Sequence, residues 1–266
     1  MKARSLFITC ITCTVILGMT VPQSIAETAK FKYSTDIPES VTTPDSVKTR
    51  LGTLKFFDGM PDEATVQLVY DNLDFQRGVS AFVNAIPIAS MSGMRKGFRE
   101  AGVTDMQVIG VHKDLMDSRS LFLTANSTVS YGWGWLDLKD GPVVVEAPPG
   151  ILALVNDFTF KYVADIGAAG PDKGKGGKYL FLPPGYEGKA PEGYFTFQSP
   201  TYGNLLGIRA FPTEDDPQAG VKAIETHLKV YRLSEIDNPP EMNFLNWSGK
   251  EMNTVQQFPA TLETLQ

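Results

Sequence analysis

LFLTANSTVSYGWGWLDLKDGPVVVEAPPG, residues Leu121 to Gly150, is the stretch whose reading decides the fold. Val129, Tyr131, Trp133 and Trp135 stand two apart, so in an extended strand they share one face. Ser130, Gly132 and Gly134 share the other. One side is bulky and aromatic, the opposite side nearly bare. Asp137, Lys139, Asp140 and Gly141 supply turn chemistry, and Pro142 opens the β-branched run Val143, Val144, Val145. The simplest pairing is an antiparallel hairpin of these two strands. The aromatic face has two readings. It is core, because large aromatics dominate burial in β-sandwiches. Or it is a ligand platform, because pockets are lined by aromatics with a few polar groups and a glycine within a strand marks close approach or free space.

Outward from that stretch, strand patterns continue on both sides. Met106 to Val111 and Ser120 to Ala125 precede it. Ile151 to Val155, Tyr179 to Leu182, Gly193 to Phe197 and Leu205 to Phe211 follow it, separated by Pro- and Gly-containing turns. Phe158 to Ile166 suits a strand or a helix. Nearer the N-terminus, Leu51 to Phe57 reads as a short strand. From Asp62 the period becomes helical, through Val66, Val69, Leu73, Phe75, Val79, Phe82, Val83 and Ile86. Pro87 predicts a break, with Met91, Met94 and Phe98 on a second helix ending near Gly102. Pro217 to Lys229 predicts an amphipathic helix with Val221, Ile224 and Leu228 on one side. The fold class expected is α+β: an N-terminal helical segment packed on a mainly antiparallel β-sandwich.

Residues 1–26 have the pattern of a signal peptide: Lys2 and Arg4, the apolar stretch Leu6 to Val21, then Ser24-Ile25-Ala26 as cleavage pattern. The expected location is periplasmic or secreted. Cleavage leaves 240 residues, removes both cysteines, Cys10 and Cys13, and takes the net charge from −6 to −8, since Lys2 and Arg4 leave and no acid does. A cysteine-free mature chain excludes disulfides and thiolate chemistry. The acidic balance disfavours nucleic acid and anionic membranes as partners. No later segment has the length and apolarity of a membrane span. Residues 27–50 read as a flexible polar lead-in, 51–248 as one domain, and 249–266 as a tail.

Motif chemistry is sparse. His112 and His227, the two histidines, have no metal-ligand spacing. There is no Gly-x-Ser-x-Gly elbow. GAAGPDKGKGGK, residues 167–178, fails the Walker pattern for want of a Gly-Lys-Ser/Thr. No cofactor and no metal is expected, and no residue is put forward as catalytic. Asp137, Asp157 and Asp165 lie at strand ends or turns. They suit an acid–base pair if two of them converge, or turn caps and ion pairs with Lys161 or Arg209 if they do not. The candidate ligand-binding residues are therefore Tyr131, Trp133, Trp135, Asp137, Asp157, Lys161, Asp165, Tyr202 and Arg209.

The stretches quoted above, with DFTFKYVADIGAAGPDKGKGGKYLFLPPGY, GYFTFQSPTYGNLLGIRAF, FFDGMP and VYDNLDFQRGVSAFVNAIP, resemble the bacterial domain of unknown function 1254 over most of Leu51 to Ser248. The resemblance implies a helical segment with a β-sandwich and no established reaction. Relatives often place an acid where Thr128 stands here, and commonly carry a following domain of unknown function 1214. Gly249 to Gln266 resembles a linker into such a domain. Three functions follow as expectations. One is an exported protein that binds a small molecule or glycan on the aromatic platform. The second is a carboxylate-dependent hydrolase. The third is a truncated module that needs a partner domain or a second copy.

Overall fold

A computed structural model describes residues 38–122 and 126–254. The expected signal peptide and Gln256–Gln266 lie outside these residues. Two compact units divide between Tyr70 and Asp71.

In the first unit, β1 (Ser46–Thr49) pairs antiparallel with β2 (Gly52–Phe57), and β2 with β3 (Met60–Pro61). Part of the stretch read as a lead-in is thus a strand. The helix α1 (Glu63–Glu100) begins here. Asp62 caps it by accepting the Thr65 N–H at 2.7 Å. The Thr65 side chain, and after it the Thr65 N–H, holds the Asp62 carboxyl below the usual range.

The break expected at Pro87 is absent, and α1 runs through it as one helix of 38 residues. Proline removes one helical N–H and orphans the carbonyl four residues back. That carbonyl belongs to Val83, which is exposed, so water can satisfy it. Buried Met91, Met94 and Phe98 anchor the final turns. Gly102, at φ 99°, ends the helix.

The remaining elements are β4 (Val108–His112), β5 (Ser120–Leu121), β6 (Ser130–Asp137), β7 (Val143–Ala147), β8 (Ile151–Asp157), β9 (Tyr162–Gly167), β10 (Gly177–Leu182), β11 (Phe195–Gln198), β12 (Gly203–Ala210), α2 (Ala219–His227), β13 (Lys229–Arg232), β14 (Asn243–Asn246) and β15 (Met252–Asn253). One sheet has the order β11-β10-β7-β13, the larger one β14-β4-β6-β12-β8-β9. Most pairs are antiparallel. The exceptions are β10 with β11, β4 with β14, and β5 with β15. The architecture is α+β, as expected.

The hairpin expected of β6 and β7 does not form. β6 pairs with β4 and β12, whereas β7 pairs with β10 and β13 in the other sheet. Five residues, 138–142, carry the chain across the sandwich. Leu138 is fully buried between the sheets, and Gly141 takes φ 128° in the turn. The core thus joins Leu136, Leu206, Ile208 and Val155 of one sheet to Val143, Val145, Phe181 and Val230 of the other. The stretch read as a linker is packed as far as Thr254: Met252 is buried beside Phe98 and Trp247, and Thr254 donates to the Leu121 carbonyl at 2.8 Å.

Candidate functional site

Register sorts the larger sheet into two faces. Gly132, Gly134 and Leu136 face the sandwich core. Tyr131, Trp133 and Trp135 face the other way, aligned with Arg209, Gly207 and Leu205 on β12. The space beside Gly134 is taken by Ile109, whose Cδ1 lies 2.5 Å from where a Cβ would stand. These core-facing glycines leave no room for a ligand. The useful glycines are on neighbouring strands. A Cβ on Gly110 would meet the Trp247 ring at 2.2 Å, and one on Gly207 would meet Trp133 at 2.9 Å. The rings lie flat across those positions.

At one end of the aromatic face, α1 fills the surface. Phe98 meets Trp135 and Trp247 edge-on at 6.0 and 5.2 Å. At the other end lies a cavity of about 440 Å³. Tyr131 and Trp133, stacked at 5.3 Å, form one wall. Leu152, Leu154 and Gly207 form the floor, with Met94, Met116, Phe122 and Phe160 around it. Two charged side chains line it, Asp165 and Arg209. The Arg209 guanidinium stands 5.8 Å from the Tyr131 ring centre, within cation–π range. The indole N–H of Trp133 has no hydrogen-bond partner among the described residues.

Of the nine candidates, the structure brings together Tyr131, Trp133, Asp165 and Arg209. Trp135 and Asp137 line a separate cleft of about 190 Å³ with Arg95, Arg99 and Arg232. There Arg95 pairs with Asp137 at 3.5 Å and sits over the Trp135 ring. Burial, with Arg99 beside it, lowers the Arg95 pKa, and Asp137 opposes that. Asp157 is 2% exposed and serves its own turn. Its Oδ1 accepts the Thr159 N–H, the Thr159 hydroxyl and the Lys161 N–H at 2.7–2.9 Å. That turn holds Phe160 at φ 64°, a left-handed conformation that β-carbons resist, and sets its ring at the cavity rim. Lys161 contributes backbone only. Tyr202 is exposed away from the cavity, and its carbonyl accepts the Leu138 N–H.

The three aspartates therefore do not converge. Asp137 and Asp165 line different cavities and Asp157 is consumed by backbone hydrogen bonds, so the paired-carboxylate arrangement of the hydrolase expectation is not formed. No group of three or more metal-ligating side chains occurs among the described residues. His112, 1% exposed, sits edge-on to Phe122 and Trp247, and burial lowers its pKa to about 4. Gly167–Lys178 folds as a compact loop in which Asp172 accepts the Gly176 N–H at 3.0 Å. The sequence reading missed Met94, Met116, Phe122, Leu152, Leu154 and Phe160. Apolar residues of this kind carry no signal separating core from cavity wall.

Residues 107–232 match the model of a family described as protein of unknown function (DUF1254). The match is consistent with a DUF1254 domain over this segment. The segment contains strands β4 to β13 and all the cavity wall except Met94. The match is narrower than the span of the sequence resemblance, 51–248. No curated protein matches the chain. Among solved structures, the VPA0106 protein of Vibrio parahaemolyticus is similar at a TM-score of 0.42 and 18% identity, over 61% of this chain and 40% of that one. The present chain thus spans less than half the length of that protein. No helix among the described residues is long and apolar enough to cross a membrane.

Proposed function

We propose that this is an exported binding protein for a small apolar or aromatic acid, held in the cavity between β6, β12, β8 and α1. The observation that carries the reading is the composition of that cavity: aromatic and aliphatic walls with one cation, Arg209, and one anion, Asp165, on its lining. Its volume lies within the range of about 300–1,000 Å³ usual for small-molecule sites. Arg209 presents a fork of donors suited to a carboxylate. Asp165 accepts from a hydroxyl or amine on the same ligand. Tyr131 and Trp135 are buried, so an open glycan platform is the less suited reading. Export rests on the charged, apolar and cleavage regions of residues 1–26.

Intrinsic tryptophan fluorescence reads the site, because Trp133 is in its wall. Titration with aromatic and branched apolar acids is expected to change emission and raise Tm, and neutral sugars to do neither. Arg209→Gln lowers affinity for the acid about tenfold or more and leaves affinity for the corresponding neutral amide unchanged. Equal loss for acid and amide, or no response to any acid, refutes the assignment. Finding the full-length chain with residues 1–26 intact in the cytoplasm refutes export.

A further inference from the structure

The cleft that holds Trp135 and Asp137 is ringed by charges of both signs. Arg95, Arg99 and Arg232 line it, and so do Asp105, Asp137 and Glu235. Few of these charges meet. Arg232 is committed to a residue outside the lining, donating to the Asp140 carboxylate at 2.7 Å. Arg95 meets Asp137 only at 3.5 Å, longer than the roughly 2.7–2.9 Å of a well-made charge-assisted hydrogen bond. Arg99, Asp105 and Glu235 form no ion pair among the described residues.

Each group is held where it stands by its own element. α1 puts Arg95 and Arg99 one turn apart on one side, where like charges repel. Burial, and after it Arg99, weighs against the Arg95 cation more than Asp137 favours it. Asp105 serves the turn after α1. Its Oδ1 accepts the Gln107 N–H at 3.0 Å, while Oδ2 receives only the Thr104 hydroxyl at 3.5 Å. Glu235, just after β13, accepts the Arg232 N–H on Oε2 at 2.8 Å, and its Oε1 has no hydrogen bond among the described residues. Trp135, Val103 and Met106 are buried and make the lining partly apolar, which strengthens polar contacts made there. Opposite charges that share a small cleft without touching leave space for one molecule that touches both.

We propose that this cleft binds a small zwitterion, an α-amino acid with a short side chain, as a ligand site separate from the apolar cavity. The Arg95 and Arg99 guanidinium groups receive the carboxylate through their forks of N–H donors. The free oxygens of Asp105 and Glu235 accept from the ammonium group. The balance of charge favours this occupant. Three cations and three anions line the cleft, so a ligand with one of each keeps the balance. A simple carboxylate or phosphate leaves the lining net negative, and an amine leaves it net positive. Size favours a short side chain: the cleft holds about 190 Å³, below the roughly 300 Å³ at which small-molecule sites usually begin.

Calorimetric titration of the full chain with alanine and with glycine is expected to show saturable binding. Acetate, methylamine and inorganic phosphate at matched ionic strength are expected to bind at least about tenfold more weakly. Arg99→Gln weakens alanine binding about tenfold or more. So does Asp105→Asn, in which the amide oxygen still accepts from the Gln107 N–H. Neither change moves the Tm of the ligand-free chain, because both side chains are exposed and make no ion pair. A merely structural role would move it. Arg77→Gln, at an exposed arginine outside the cleft, leaves alanine binding unchanged. Absence of saturable binding by both amino acids, acetate or phosphate binding as tight as that of alanine, or indifference to either Arg99→Gln or Asp105→Asn overturns the proposal.

Discussion

On the sandwich side of the six-stranded sheet, Ile109, Leu136, Leu206 and Ile208 are buried and meet the aliphatic side chains of a second sheet. On the other side of the same strands, Tyr131, Trp133 and Trp135 meet the last turns of one helix, and a cavity is left over. The difference lies in what covers each face. A sheet laid on a sheet covers it nearly everywhere, and branched aliphatic side chains interdigitate to crystal-like density. A single helix is about 10 Å wide and cannot roof six strands. Rigid rings fill the contact with α1 but do not flow into the remainder. The cavity, and with it the proposed ligand site, is where coverage of the sheet runs out.

The largest effect should come from filling space that an aromatic ring already occupies. Gly110→Ala places a carbon 2.2 Å from the fully buried Trp247 ring, whose N–H is tied to the Ala101 carbonyl at 3.0 Å. The expected cost is about 4 kcal/mol or more, with loss of the folded state at moderate urea. A mild effect would mean that the aromatic face is loosely packed throughout, and the contrast between the two ends of that face would collapse.

Next comes removal of atoms from each side. Leu206→Ala, at 1% exposure on the sandwich side, should cost about 3 kcal/mol in equilibrium unfolding. Leu154→Ala, at 37% exposure on the cavity side, should cost less than about 1 kcal/mol. Similar losses for the two would erase the distinction between faces.

His112 sharpens the comparison through pH. Its folded-state pKa of about 4 lies below the ordinary 6.5 because burial disfavours the cation, an effect Asp117 only partly offsets. Between those values the unfolded chain binds the proton and the folded chain does not. The stability this histidine supports is therefore whole above pH 6.5 and falls as pH drops towards 4, by up to about 1.4 kcal/mol per pH unit. His112→Phe should flatten that part of the pH–stability curve, and an unchanged slope would show that His112 reaches water.

The smallest effect on stability, and the most specific, is expected of Leu154→Phe. The added ring enters the cavity, leaving stability within about 0.5 kcal/mol while abolishing the fluorescence response to apolar acids. Ligand binding that survives this change would place the site elsewhere.

How much was legible in the sequence depends on how local each feature is. Alternation in Ser130–Asp137 marked a strand with one aromatic face, and the 3.6 period marked α1. Both follow from backbone geometry within a few residues. Tyr131, Trp133, Asp165 and Arg209 were legible as candidates, because aromatic and charged groups on strands stand out, and the structure brings these four to one cavity. That Asp137 and Asp157 do not line that cavity was not legible, because nearness in sequence does not say which cavity a carboxylate meets.

The sequence by itself determined the α+β class, most of the strands and their faces, and the helical period. The tertiary structure alone decided that β6 pairs with β12 and β4 rather than β7, and that α1 passes through Pro87. It also decided which glycines hold rings and where the cavity lies. The physical reason is the range of the interactions. Propensity and periodicity act between neighbours in the chain, whereas strand pairing and coverage of a sheet are settled by contacts between residues far apart, such as Trp133 and Gly207.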